Sequence, residues 1–176
     1  MPRPRDVLNA FTVSELSRIT DLSIPMANYL SDKGFLRPAF GNPYGRRGKV
    51  RYYSYRDLVI ARLVQHLREG GVALHSLKEA IQQLSTEPDW MGSVGDPADQ
   101  LRWLVTDGKE VLFKNRDGFL DTLTGSGQRA FSFIVDLHGL EQEVRERVPE
   151  RKREQFQMGP YEIQFAEVRK THVKKG

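Results

Sequence analysis

The chain has 176 residues, room for one ordinary domain or two small modules, and its 39% hydrophobic and 28% charged residues are typical of a folded globule rather than a disordered tail. No apolar run approaches the roughly 18 residues of a membrane span, and the start Met1-Pro2-Arg3-Pro4-Arg5-Asp6 has no secretory apolar stretch, so a cytoplasmic protein without membrane contact is expected. Zero cysteines exclude disulfides, thiolate metal sites and cysteine nucleophiles; with His66, His75, His138 and His172 in no metal-ligand spacing, neither a metal nor a cofactor is expected.

The net charge of +4 is unevenly spread. Residues 1–84 hold 13 Lys/Arg against 7 Asp/Glu, residues 85–150 hold 7 against 13, and residues 151–176 hold 7 against 3. Blocks of alternating sign on this scale predict separate surfaces with separate partners, and the basic first block is the one suited to nucleic acid.

Thr12-Val13-Ser14-Glu15 has the spacing of a capping box, and Leu16 and Ile19 share a face of the helix it opens, which ends near Thr20-Asp21. Ser23 is a natural cap for a second helix, with Pro25 tolerated in its first turn and Gly34 as its terminator. Two short helices joined by about four residues form a helix-turn-helix candidate. Phe35-Leu36-Arg37-Pro38 and Val50-Arg51-Tyr52-Tyr53 are β-prone and bracket a Gly/Pro loop, which predicts a two-stranded wing with a basic tip. Arg37, Arg46, Arg47, Lys49, Arg51 and Arg56 occupy this stretch without one acid, interleaved with Phe40, Tyr44, Tyr52, Tyr53 and Tyr55, as suits a ribbon lying against phosphates. Ser54 with Asp57 caps a third helix that stops at Gly70-Gly71, and Leu74, Leu77, Ile81 and Leu84 outline a fourth.

Residues 11–84 resemble the MerR-type winged-helix DNA-binding family. The resemblance is carried by Phe11-Thr12-Val13-Ser14-Glu15-Leu16, Leu22-Ser23, Tyr29, Gly34-Phe35-Leu36-Arg37-Pro38, Arg51-x-Tyr53-Ser54, Asp57-Leu58, Leu67-Arg68 and Gly71-Val72-Ala73-Leu74-x-x-Leu77, in order and at the family's spacing. It implies a winged helix-turn-helix and a sequence-specific transcription regulator. Where the family often reads Thr-Leu-Arg-Tyr-Tyr, this chain has Met26-Ala27-Asn28-Tyr29-Leu30, so its target sequence is expected to differ. The wing loop is longer than the family's, and the cysteines of metal- and redox-sensing members are absent.

The second half is less transparent. Residues 85–97, rich in Pro, Gly, Ser and acid, form the expected linker between a 1–84 domain and a 98–176 module. Asp96-Pro97 starts a short helix through Leu101 and Trp103; 104–106, 110–113 and 119–123, separated by Asp-Gly turns, read as a meander of three strands. Phe133, Leu137, Leu140, Val144 and Val148 recur at helical spacing over 130–148, either as the face packed on that meander or as a seam to a second subunit or partner. Residues 161–168 alternate like a strand, and 169–176 form a basic tail.

Glycines at 125 and 127 lack the Gly-Lys-Ser/Thr ending of a phosphate loop, and the acids at 107, 110, 117 and 121 sit beside turns with no nucleophile or base converging on them, so no enzyme is expected. The expectation is thus an α+β protein that binds double-stranded DNA as a homodimer on a palindrome. The alternative is an antitoxin-like DNA-binding protein whose 98–168 region holds a partner protein. Ser14, Ser23, Met26, Asn28, Tyr29, Arg37, Arg46, Arg47, Lys49, Arg51 and Tyr52 are the DNA-contact candidates, with Asn28 expected to pair with adenine and Met26 to meet a thymine methyl. Leu137, Leu140, Val144 and Val148 are the seam candidates.

Overall fold

The computed structural model describes residues 10–41, 50–78, 81, 103–106, 111–114 and 133–156. They are mixed helix and strand, α+β, and divide into two compact units: Met1–Arg62 with Val144–Gly176, and Leu63–Glu143. A division at 84 and 98 would group residues 144–156 with the second half of the chain, whereas here they fall in the unit of the N-terminal helices.

The first unit opens with a strand that composition did not betray, β1 (Phe11–Thr12), and runs directly into α1 (Val13–Thr20). Thr12 caps α1 as expected: its Oγ1 accepts from the Glu15 N–H and the Glu15 carboxylate accepts from the Thr12 N–H at 2.9 Å. Helix α2 (Ile24–Asp32) starts from Ser23, whose Oγ accepts from the Met26 N–H, with Pro25 in the first turn. It ends in a left-handed turn at Gly34 (φ 80°): Phe35 N–H bonds to Leu30 C=O and Gly34 N–H to Ser31 C=O, the paired bonds of a Schellman stop. Phe35 and Leu36 are therefore buried continuations of the helix stop, and the wing strand predicted there begins later, as β2 (Ala39–Gly41). With β3 (Val50–Tyr53) in the middle, the order is β1-β3-β2, antiparallel, in the register Phe11↔Tyr53 and Ala39↔Tyr52.

Helix α3 (Tyr55–Glu69) begins with the predicted box, Ser54 and Asp57 bonding each other's backbone N–H. It ends at Gly71 (φ 83°) with a second Schellman pair, Val72 N–H to Leu67 C=O and Gly71 N–H to Arg68 C=O. The core of the first unit is Phe11, Leu16, Ile19, Leu22, Leu30, Tyr52, Tyr53, Tyr55 and Leu58, all buried. A fully buried Leu or Ile contributes about 1.5–3 kcal/mol, so this cluster dominates the unit's stability.

In the second unit, α4 (74–78) buries Leu77. Strands β4 (Trp103–Thr106), β5 (Val111–Lys114) and β6 (Phe133–Asp136) form an antiparallel sheet of order β5-β4-β6. Two expectations are corrected. Trp103 opens a strand rather than closing a helix, and Phe133 lies in β6, with α5 (Leu137–Arg147) starting four residues later. The four-residue step from Phe133 to Leu137 imitates a helix, but β-branched Ile134 and Val135 alternate out and in as a strand, and the Asp136 carboxylate accepts from the His138 N–H where the helix starts. Among the described strands β4, first in sequence, is central: Val105 pairs with Leu112 on one side and Ile134 on the other. The linker expected at 85–97, the strands expected at 119–123 and 161–168 and the basic tail at 169–176 lie outside the described residues.

Candidate nucleic-acid interface

Helix α2 buries Ala27 and Leu30 and turns its opposite side outward, with Ile24 40% and Tyr29 45% exposed and Asn28 half-buried between them. The outward side also carries Asp32 and Lys33, the latter's ammonium 5.8 Å from the centre of the Tyr29 ring. In DNA-binding helix-turn-helix motifs the second helix is the element that lies in the major groove.

The turn before α2 is held from two places. Asp21 takes the left-handed conformation (φ 61°), which a short polar side chain tolerates better than most. Its Oδ2 accepts from Arg62 at 3.1 Å and Arg147 at 2.7 Å. The same two guanidiniums donate to the Thr20 and Ile19 carbonyls at the end of α1. The Arg147 hydrogen bond, reinforced by both positive charges, holds the Asp21 carboxyl below its ordinary range against a smaller opposing effect of burial.

Strand β3 is cross-linked to α2 by alternate residues. Arg51 Nη2 meets Asp32 Oδ1 at 2.7 Å, and its Nη1 donates to Asn28 Oδ1 at 3.2 Å and to the Asn28 carbonyl at 3.5 Å. The Asp32 hydrogen bond raises the Arg51 guanidinium's pKa further, with Tyr53 contributing in the same direction. Ser31 Oγ donates its one proton to Ala27 C=O, so the Tyr53 hydroxyl 3.0 Å away must be the donor to Ser31. Strand β3 and helix α2 are thus joined side by side through these bonds.

Asp57 fixes the start of β2 to α3. Its Oδ1 accepts from the Arg37 N–H at 3.0 Å and its Oδ2 from the Ser54 N–H and hydroxyl. Burial nevertheless pushes its carboxyl pKa up, outweighing these bonds, while burial pulls Arg56 down.

Residues 11–84 match the family model described as MerR HTH family regulatory protein. This segment is similar to the helix-turn-helix of that family. Regulators of the MerR family are typically non-enzymatic DNA-binding proteins that act as dimers. No curated protein matches the chain. Among the described residues no helix is long and apolar enough to cross a membrane.

Within the MerR-type segment the candidate contacts divide. Ser14, Ser23 and Tyr29 are exposed, Met26 and Asn28 half-buried, and Arg37 exposed at its side chain. Arg51 is partly covered, with its guanidinium on α2. Tyr52 is a correction: it is wholly buried in the central strand, so its aromatic ring belongs to the core and cannot lie on DNA. Arg46, Arg47 and Lys49 lie outside the described residues. The seam candidates Leu137, Leu140, Val144 and Val148 are all buried within the single chain, which leaves them core positions instead of an open seam.

Residue type alone does not single out Ile24, exposed at the start of α2, Val50, exposed at the start of β3, or Asp32, which neutralises Arg51. The period of two in β3 carries a usable signal, since it sets Arg51 and Tyr53 on one face and Tyr52 on the other. Nothing local announces Lys152 of α6 (Glu150–Phe156). Its buried ammonium reaches the Ala10 carbonyl at 2.7 Å and the Glu15 carboxylate at 3.2 Å, and lies 4.6 Å from the centre of the Phe11 ring.

Proposed function

We propose that the protein is a sequence-specific transcription regulator that binds a palindromic operator as a homodimer in the cytoplasm, with α2 in the major groove of each half-site. The observation that carries this is the outward face of α2, with Ile24 and Tyr29 bared, Asn28 half-buried between them and β3 fastened alongside. One such helix reads only a few base pairs, and symmetric doubling supplies the rest of the specificity. In this reading residues 1–84 are the DNA-binding domain, 85–97 the linker and 98–176 the module for self-association or a partner. Ser14, Ser23 and Tyr29 contact phosphates with Arg37 and the loop basics Arg46, Arg47 and Lys49, which position the protein without reading sequence.

The test is selection of bound duplexes from a randomised library by the full chain, followed by sedimentation of the complex. A recovered inverted repeat, bound by two chains, is expected. A single unrepeated half-site bound by one chain refutes the homodimer, and recovery of no preferred sequence refutes specific reading. Arg47→Ala should weaken all duplexes alike and lower the salt slope by about one.

A further inference from the structure

Arg51 stands in a run of basic residues that the sequence presents as phosphate contacts, yet its guanidinium is already engaged on α2. One nitrogen meets Asp32 at 2.7 Å, and the other bridges the side-chain and backbone oxygens of Asn28. A guanidinium can only donate, so the Asn28 atom that faces it must be the amide oxygen, and this decides which way round the amide sits. The amide nitrogen has no partner among the described residues, and Asn28 lies on the outward side of α2. An unrestrained asparagine on a helix surface turns over freely, exchanging donor for acceptor. In the major groove that exchange matters, because base pairs differ there in the pattern of donors and acceptors.

We infer that Arg51 is a positioning residue for sequence recognition: from the wing strand it holds the Asn28 amide oxygen and so fixes the donor–acceptor pattern that Asn28 presents to a base. The inference rests on the reading that α2 enters the major groove. Asp32 has a part in it, since it clamps the second guanidinium nitrogen and cancels its charge, leaving the first nitrogen directed at Asn28. Wing and reading helix are thereby one specificity element, although the wing residue touches no base.

The experiment uses the full chain and a library of duplexes randomised over the recovered site, with preference at each base pair read as the ratio of bound sequences. Asn28→Ala locates the base pair that Asn28 reads, where a loss of about 5- to 150-fold in preference is expected, the span that 1–3 kcal/mol of discrimination represents. Arg51→Ala should blunt preference at that same base pair and at no other, and the Asn28→Ala/Arg51→Ala double variant should lose nothing more there. Arg51→Lys, which can reach one oxygen but cannot fork, should keep part of it. A uniform change in electrostatic affinity cancels in these ratios, so repulsion by an unpaired Asp32 cannot imitate the result.

The inference is overturned if Arg51→Ala leaves that preference intact while weakening all sequences alike and lowering the salt slope by about one, the behaviour of a phosphate contact. If Asn28→Ala changes no base preference, the reading of α2 as the recognition helix fails, and the inference with it. Should Arg51→Ala not fold, as judged by a thermal melt, Asp32→Asn carries the test. Partial loss at the Asn28 base pair supports the inference, and unchanged preference overturns it.

Discussion

Lys152→Met is the substitution that most directly tests how the first unit is held together. The ammonium is only 3% exposed at its side chain and the Glu15 carboxylate 12%, so the pair is largely removed from water. Loss of one partner from a buried pair costs about 3–5 kcal/mol, because the other charge is left uncompensated. Here the Thr12 N–H and hydroxyl still donate to Glu15, which moves the expectation to the lower end. In the other direction, the Ala10 carbonyl loses its 2.7 Å donor, worth about 1–3 kcal/mol if left bare, and Phe11 loses the cation over its ring. Methionine fills most of the volume, so little cavity cost is added. The net expectation is a loss of about 3 kcal/mol, read from urea unfolding followed by far-ultraviolet circular dichroism. Glu15→Gln/Lys152→Met should recover about 1–2 kcal/mol of it, because neutral glutamine needs no counter-charge and still closes a capping box. A Lys152→Met loss under about 1 kcal/mol, or a double variant no better than the single one, refutes the argument that a buried charge is being satisfied.

Asp21→Asn keeps the left-handed backbone but discards the charge; it should cost about 1 kcal/mol at neutral pH, a figure kept small because half the side chain is solvated. Since the folded carboxyl lies below its ordinary 3.8, its contribution is complete above that value and is lost as pH falls through the folded value. The variant's stability measured by acid titration should therefore decline less steeply there than the parent's. Gly34→Ala should destabilise by about 1–2 kcal/mol through its positive φ alone, as nothing lies within 4 Å of the added carbon; thermal unfolding checks this, and an unaffected midpoint contradicts it. In the second unit, Leu104→Ala should cost about 2–5 kcal/mol in the same urea assay and Ile134→Thr under about 0.5, the contrast required if 133–136 is a strand with Ile134 facing outward.

What could be read in advance followed the range of the interaction. Capping at Thr12 and Glu15, at Ser23, and at Ser54 and Asp57 involves residues three apart, so residue type and spacing define it, and all three caps are present. Gly34 as a helix stop was equally legible, but the two buried residues that complete its Schellman turn displaced the strand expected at Phe35. Strand β6 was misread because a four-residue apolar step is shared by a helix and by a strand running into a helix; only pairing with β4 distinguishes them. At the candidate interface, the start and stop of α2 followed from Ser23 and Gly34. The engagement of Arg51 did not, since Asp32 and Asn28 lie 19 and 23 residues away and no local rule links them. Composition made Tyr52 look like a binding aromatic, whereas its place in a central strand makes it core.

The contact between Lys152 and Ala10 spans 142 residues of chain, which gives the buried ammonium a consequence during synthesis. At about 5–20 residues per second, the ribosome needs roughly 7–28 seconds to add Lys152 after Ala10 has been made. For that interval the nascent helix-turn-helix has Glu15 without its counter-charge and Asp21 without Arg147. A nascent chain, or a fragment ended at residue 84, therefore lacks the final clamps on α1 and on the turn that aims α2. A message that stops before the codon for Arg147 yields a helix-turn-helix without either clamp, and one that stops between Arg147 and Lys152 leaves Glu15 without its counter-charge.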